Sequence, residues 1–174
     1  MAIYTKKGDR GETSIFSRKE RLSKSSTRIK TIGAVDEVNS FIGIILVEDP
    51  KLKELKEVQR NLFTVGAILA GAPLRFPSSK TKVLEKRIDK IEGSLPVLKN
   101  FILPGGGKTA ANLFFARTLA RRAERYLVAL NLKEEVKPEI LVFVNRLSDY
   151  LFMLAREVNF RQGVKDEVWK GKRK

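Results

Sequence analysis

Phe115-Ala116-Arg117-Thr118-Leu119-Ala120-Arg121-Arg122-Ala123-Glu124-Arg125 sets guanidiniums at helical intervals among small and apolar residues. On a helix, Arg117, Arg121, Glu124 and Arg125 share one face, because positions three and four apart are neighbours there. Arg122 lies beside that face. Guanidiniums placed in this way, with one interleaved carboxylate, repel one another unless an anion fills the gap. A polyphosphate suits the cluster, since a planar Arg fork takes phosphate oxygens two at a time. Taken alone, the run reads more simply as a solvated basic face with an i,i+3 Arg121–Glu124 pair.

The run sits inside a longer helical segment from about Thr109 to Leu130, and the chain on either side repeats the helical period. From Thr31 to Val47, the apolar residues Ile32, Val35, Val38, Ile42 and Ile45 recur at three and four. Pro50 closes that segment. A second runs from about Leu52 to Leu69 and stops at Gly71-Ala72-Pro73. Lys80 to Ile91 is a shorter, charged helix with Leu84 and Ile88 inward. The last extends from about Pro138 to Phe160, with Pro tolerated in its first turn. No sustained alternation or β-branched run of strand length is present, so the expected fold is all-α, a bundle of about five helices. The expected organisation is one domain over 1–174, with an N-terminal segment 1–28, a bundle 29–162 and a basic tail 163–174.

Composition narrows the chemistry. The chain of 174 residues contains no His and no Cys. That excludes disulfides, Cys-ligated metals and every mechanism built on a histidine base or ligand. Catalysis is left to carboxylates, Lys, Arg, Tyr, hydroxyls, backbone amides or a bound cation. The net charge of +15 favours anionic partners such as nucleic acid, a membrane surface or phosphorylated small molecules. There is no apolar run of membrane-spanning length and no signal-peptide core, so a cytoplasmic protein is expected.

Two glycine-containing segments invite a phosphate reading. Gly8-Asp9-Arg10-Gly11 is a turn flanked by Thr5, Thr13 and Ser14, with charge from Lys6, Lys7 and Lys24, and its backbone amides could cradle phosphate. The pattern is equally that of a plain turn. Gly105-Gly106-Gly107-Lys108-Thr109 is not a P-loop: the glycine required six positions before the lysine is Ile102 here. Its expected role is a loop that allows close backbone approach ahead of the long helix. Asn145 and Asp149 stand one turn apart on the last helix, beside Ser148.

Several stretches taken together resemble the PduO-type ATP:cob(I)alamin adenosyltransferases. They are Tyr4 to Ser14, Gly33-Ala34-Val35-Asp36-Glu37-Val38-Asn39-Ser40-Phe41-Ile42-Gly43, Phe101-Ile102-Leu103-Pro104-Gly105-Gly106, the Arg-rich run, and Asn145-Arg146-Leu147-Ser148-Asp149. They fall in the family's order across nearly the whole chain. The resemblance implies a cobalamin adenosyltransferase-like five-helix bundle that forms a homotrimer with active sites between subunits. The implied substrates are Mg-ATP and cobalamin, with Mg2+ carried on the ATP phosphates and no protein-held metal. The implied reaction moves the 5′-deoxyadenosyl group of ATP to cob(I)alamin and releases triphosphate. A cob(II)alamin reductase and an adenosylcobalamin-dependent enzyme are implied as partners, with neither nucleic acid nor membrane among them.

By the same resemblance, Thr5, Lys6, Lys7 and Gly8 contact the nucleotide, Thr13 and Ser14 continue that loop, and Lys24 reaches the phosphates. Arg121, Arg122, Glu124 and Arg125 form the ATP wall, with Arg121 on the triphosphate, and Asn145 binds ATP from the next helix. Arg117 pairs with Asp36 across a subunit boundary. Phe101 lies beneath the corrin and displaces the lower axial ligand, and Asp149 orients nearby Arg side chains. The chain departs from the family pattern at Lys7, where Thr is common, and at Ser17 to Arg21, one residue longer than the usual Gly-Gly-Glu-Arg. Phe114 stands where many members carry His. Two other readings remain open: a basic helical protein that binds nucleic acid, and a trimer of the same fold that binds ATP only as a regulator.

Overall fold

The computed structural model of the chain describes residue 4, residues 6–16 and residues 21–171. Thr5 and residues 17–20 lie outside the described residues. Among the described residues five helices make up the body: α1 (Thr27–Glu48), α2 (Leu55–Leu69), α3 (Ser79–Glu92), α4 (Lys108–Asn131) and α5 (Pro138–Arg161). Helix α4 packs against α5 and α1, α1 packs against α2, and α5 packs against α3. The helix carrying the Arg-rich run is therefore at the centre of the bundle.

That central place follows from its other face. Ala110, Leu113, Ala116, Ala120, Ala123, Leu127 and Leu130 of α4 are buried, and the alanines let α1 and α5 approach closely. Facing them are Val35, Val38, Ile42 and Ile45 of α1, and Ile140, Phe143, Val144, Leu147, Leu151 and Leu154 of α5. Each Leu or Ile fully removed from water stabilises the fold by about 1.5–3 kcal/mol before entropy is counted. Phe76, from the connection after α2, meets Phe143 edge-on with ring centroids 5.0 Å apart.

Helix α1 begins four residues before the apolar period does. Ser26 caps it, its hydroxyl accepting from the Ile29 N–H at 3.4 Å. Its first turn is polar: Arg28 donates to the Leu69 carbonyl at 2.6 Å and through Nε to Glu134 at 3.1 Å. The apolar period marks only the buried face, so it misses a turn anchored by polar bonds.

Short strand pairings also occur. Strand β1 (Glu12–Thr13) pairs antiparallel with β2 (Leu22–Ser23). Near the other end, Ile102 bridges Val168, with the Leu103 N–H donating to the Glu167 carbonyl and the Trp169 N–H to the Phe101 carbonyl, both at 2.8 Å. The chain after α5 reverses at Gly163 (φ +70°), and Asp166 accepts from Arg156 Nε at 2.8 Å. Residues 164–169 are thus docked against the segment that carries Phe101. Pairings this short leave no alternation in a sequence. Among the described residues, no helix is long and apolar enough to cross a membrane.

Candidate active site

Helices α4 and α5 place two kinds of surface side by side. The first is the row Arg117, Arg121 and Arg125, four residues apart along α4. Arg121 and Arg125 are exposed, and the Arg125 Nη1 donates to the Arg121 carbonyl at 3.2 Å. Arg122 reaches sideways to an ion pair with Glu37 of α1. Glu124 turns toward α5, where it accepts from Asn145 Nδ2 at 2.7 Å. The Arg121–Glu124 pair of a plain solvated face is not formed. Among the described residues Arg121 has no ion pair, so its charge is available to an anion.

The second surface is a cavity of about 850 Å³ between α3, α4, α5 and the 98–104 segment. Its apolar lining includes Phe101, Ile102, Phe114, Phe152 and Met153. Phe114 and Phe152 meet edge-on at 5.8 Å, and Arg117 lies 5.6 Å from the Phe152 ring centroid, so its charge rests on an aromatic face. Phe101 is 81 % exposed while its carbonyl is tied to Trp169. The backbone is anchored and the ring is left open to a ligand.

Asp149 also lines this cavity and accepts from Arg146 Nη1 at 2.8 Å; Glu85 of α3 accepts from the same guanidinium at 3.2 Å. Partial burial works against the charge on Arg146, but the bonds to Asp149 and Glu85 outweigh it and raise its pKa. Arg146 was not singled out from the sequence, although its i,i+3 spacing to Asp149 was visible there. Its partner Glu85 was not, because the contact is between two helices 61 residues apart.

The N-terminal loop is held by its own polar groups. Lys24 Nζ donates to the Gly8 carbonyl at 2.8 Å, and the Lys24 N–H donates to the Gly11 carbonyl at 2.8 Å. Arg21 organises the rest, donating to the carbonyls of Lys7 at 2.5 Å and Glu12 at 3.0 Å and to the Ser14 hydroxyl at 3.5 Å. Lys6 has a positive φ of 58°. Lys6, Lys7, Gly8, Thr13, Ser14 and Lys24 are therefore brought into one loop, and Thr5 lies outside the described residues. No hydrogen bond or ion pair among the described residues joins this loop to the arginines of α4.

The glycine string before α4 is shaped by an asparagine. Asn159 of α5, 3 % exposed, accepts from the Gly107 N–H and donates to the Gly105 carbonyl, both at 3.0 Å. Gly106 has φ +97°, and a Cβ there would lie 2.3 Å from Asn159 Oδ1. The close backbone approach expected of these glycines is an approach to Asn159. It holds the link between Phe101 and the start of α4.

Among the described residues, no cluster of three or more Asp, Glu, His or Cys side chains could hold a metal. A divalent ion held mainly by phosphate oxygens and water, as Mg2+ commonly is, suits this donor set.

A family model described as cobalamin adenosyltransferase matches residues 3–158. A corrinoid adenosyltransferase of Bacillus subtilis is 43% identical, over 95% of this chain and 91% of its own length. One from Bos taurus is 39% identical, over 97% of this chain and 76% of its own. Among solved structures, a variant PduO-type ATP:corrinoid adenosyltransferase from Lactobacillus reuteri, complexed with cobalamin and ATP, superposes with a TM-score of 0.92. It is 37% identical, and the match covers 98% of this chain and 100% of that one. The five-helix frame agrees with these likenesses, and the chain belongs to the cobalamin adenosyltransferase family.

Proposed function

We propose that the protein transfers the 5′-deoxyadenosyl group of ATP to cob(I)alamin, giving adenosylcobalamin and triphosphate. One observation carries the reading: α4 presents Phe114 and Arg117 to the aromatic cavity and, one and two turns later, Arg121 and Arg125 to solvent. A flat apolar substrate and a polyphosphate can thus be held by one rigid element with their reacting ends adjacent. Members of this family act on those two substrates, and the solved Lactobacillus reuteri relative was complexed with both.

The chemistry asks little of protein nucleophiles. The electron pair of Co(I) forms the bond to the 5′ carbon, the C5′–O bond breaks, and its pair leaves on the triphosphate. The protein supplies alignment, a dry pocket and stabilisation of the developing charge. Arg121 is the clamp on the leaving triphosphate, with Arg122 and Arg125 beside it. Asn145 and Glu124 hold the nucleotide end, and Lys6, Lys7, Gly8, Thr13, Ser14 and Lys24 contact the nucleotide in a site between subunits. Phe101 covers the lower face of the corrinoid cobalt and keeps a fifth ligand from it. That favours the four-coordinate Co(II) state, which is the easier one to reduce. Mg2+ would accompany the phosphates and offset part of their charge.

The active form is a homotrimer in which Asp36 of one subunit pairs with Arg117 of the next. In support, neither residue has an ion pair among the described residues of its own chain. Ile44 and Val47 on α1 and Phe115 on α4 are also exposed, and exposed apolar side chains favour burial against another copy. Light scattering should then give three times 19.7 kDa.

The test of activity is anaerobic mixing of protein, Mg-ATP and chemically reduced cob(I)alamin, followed in the visible spectrum. Conversion to adenosylcobalamin with matching triphosphate is expected. ATP binding without conversion would instead show a regulatory trimer, and salt-sensitive binding of nucleic acid without ATP binding would show a basic nucleic-acid protein.

A further inference from the structure

Phe101 is 81 % exposed, so packing around the ring does not hold it in place. Its position comes from the backbone beneath it. That backbone has little regular structure of its own. Residues 101–103 pair with residues 167–169 through the N–H groups of Leu103 and Trp169, and a two-stranded pairing is marginal by itself. Behind the pair lies a cavity of about 610 Å³, lined by Val97, Leu98, Ile102, Val164 and Val168, so a close-packed core does not fix it there either.

Arg156 of α5 reaches both segments. Its side chain, 5 % exposed, donates through Nε to Asp166 Oδ2 at 2.8 Å and through Nη2 to the Pro96 carbonyl at 3.0 Å. Pro96 lies on the segment that leads to Phe101, and Asp166 immediately precedes the paired residues 167–169. A planar guanidinium sends its bonds in fixed directions, which an ammonium does not. Apolar side chains of similar volume often stabilise a buried place as well as an ion pair does, so what this pair supplies is orientation. Asn159, about one turn further along α5, fixes the other side of Phe101 at Gly105 and Gly107. We infer that Arg156 is a positioning residue for the reaction: by clamping Pro96 and Asp166 it sets the height of the Phe101 ring beneath the corrinoid, and so the share of Co(II) held without a fifth ligand. The inference rests on the adenosyl-transfer reading and on the place that reading gives Phe101.

The test reads the cobalt directly. The unpaired electron of low-spin Co(II) points along the axial direction, so electron paramagnetic resonance separates four-coordinate from five-coordinate cob(II)alamin. With Mg-ATP present, Asp166→Ala should lower the four-coordinate share. Turnover from cob(II)alamin with a chemical reductant should then slow on the order of tenfold more than turnover from preformed cob(I)alamin, the scale expected of a slightly misplaced group. Asp166→Asn retains an acceptor and should restore most of the share. Arg156→Lys should behave like Asp166→Ala, because one ammonium cannot keep both bonds in their directions, and it carries the test if Asp166→Ala does not fold. In a Phe101→Ala background neither substitution should lower the share further. An unchanged share in Arg156→Lys, or a loss that adds in full to that of Phe101→Ala, would overturn the inference while leaving adenosyl transfer standing. An unchanged share in Phe101→Ala would remove that ring from the lower face, and the inference with it. Failure of the unaltered protein to convert cob(I)alamin would remove the adenosyl-transfer reading itself.

Discussion

Asn145 Nδ2 lies 2.7 Å from Glu124 Oε1, a bond that joins α5 to α4 at the exposed end of the arginine row. It withdraws the only carboxylate in that row from Arg121 and leaves the guanidinium to an anion. Replacing either partner with Ala should weaken ATP binding, and a double-mutant cycle should show a coupling of about 0.5–1.5 kcal/mol. Calorimetric ATP titration of the single and double variants checks this. Strict additivity would mean that the bond has no part in nucleotide binding.

Arg121→Ala should lower kcat by about 10²–10³-fold, because it removes a cation from a leaving group that gains charge in the transition state. Its side chain is exposed and without an ion pair among the described residues, so the melting temperature should barely move. Triphosphate release measured beside thermal unfolding separates the two effects.

Phe101→Ala should slow turnover from cob(II)alamin under reduction more than turnover from preformed cob(I)alamin. The ring is 81 % exposed, so its loss leaves no core cavity and a general loss of stability would not explain the difference. Equal slowing from both starting states would take the ring away from the lower face of the cobalt.

Gly106→Ala should destabilise the protein by about 2–4 kcal/mol, through the positive φ and the collision with Asn159. In an Asn159→Ala background the collision is gone, and the further cost should fall to about 1–2 kcal/mol of backbone strain. Urea unfolding of the four proteins measures the difference. The same variants report on the Phe101 loop, since Asn159 also fixes Gly105 and Gly107.

Much of the frame could be read from periodicity. Val35, Val38, Ile42 and Ile45 mark the buried stripe of α1, and Ile140, Val144, Leu147, Leu151 and Leu154 mark that of α5. The first turn of α1 escaped because its anchors, Arg28 to Glu134 and to Leu69, are polar and distant in sequence. Arg21, Glu85 and Asn159 escaped for the same reason: a hydrogen bond between distant segments leaves no interval to count. The glycine string showed that the backbone must come close to something. Only the fold showed that this something is Asn159.

The sequence by itself determined an all-α bundle, because helical repetition is a local property that each turn enforces alone. The absence of His and Cys also determined that the chemistry falls to carboxylates, Lys, Arg, Tyr, hydroxyls, backbone amides or a bound cation. The order of its motifs determined the family. The tertiary structure decided what those residues face. It turned Glu124 to Asn145 instead of Arg121 and tied Asp149 and Glu85 to Arg146. It also put the segment after α5 against the one that carries Phe101 and gathered acidic residues of α3 around the cavity of a basic chain. Each of these depends on how helices are rotated and placed against one another, and that is settled only when the whole core packs.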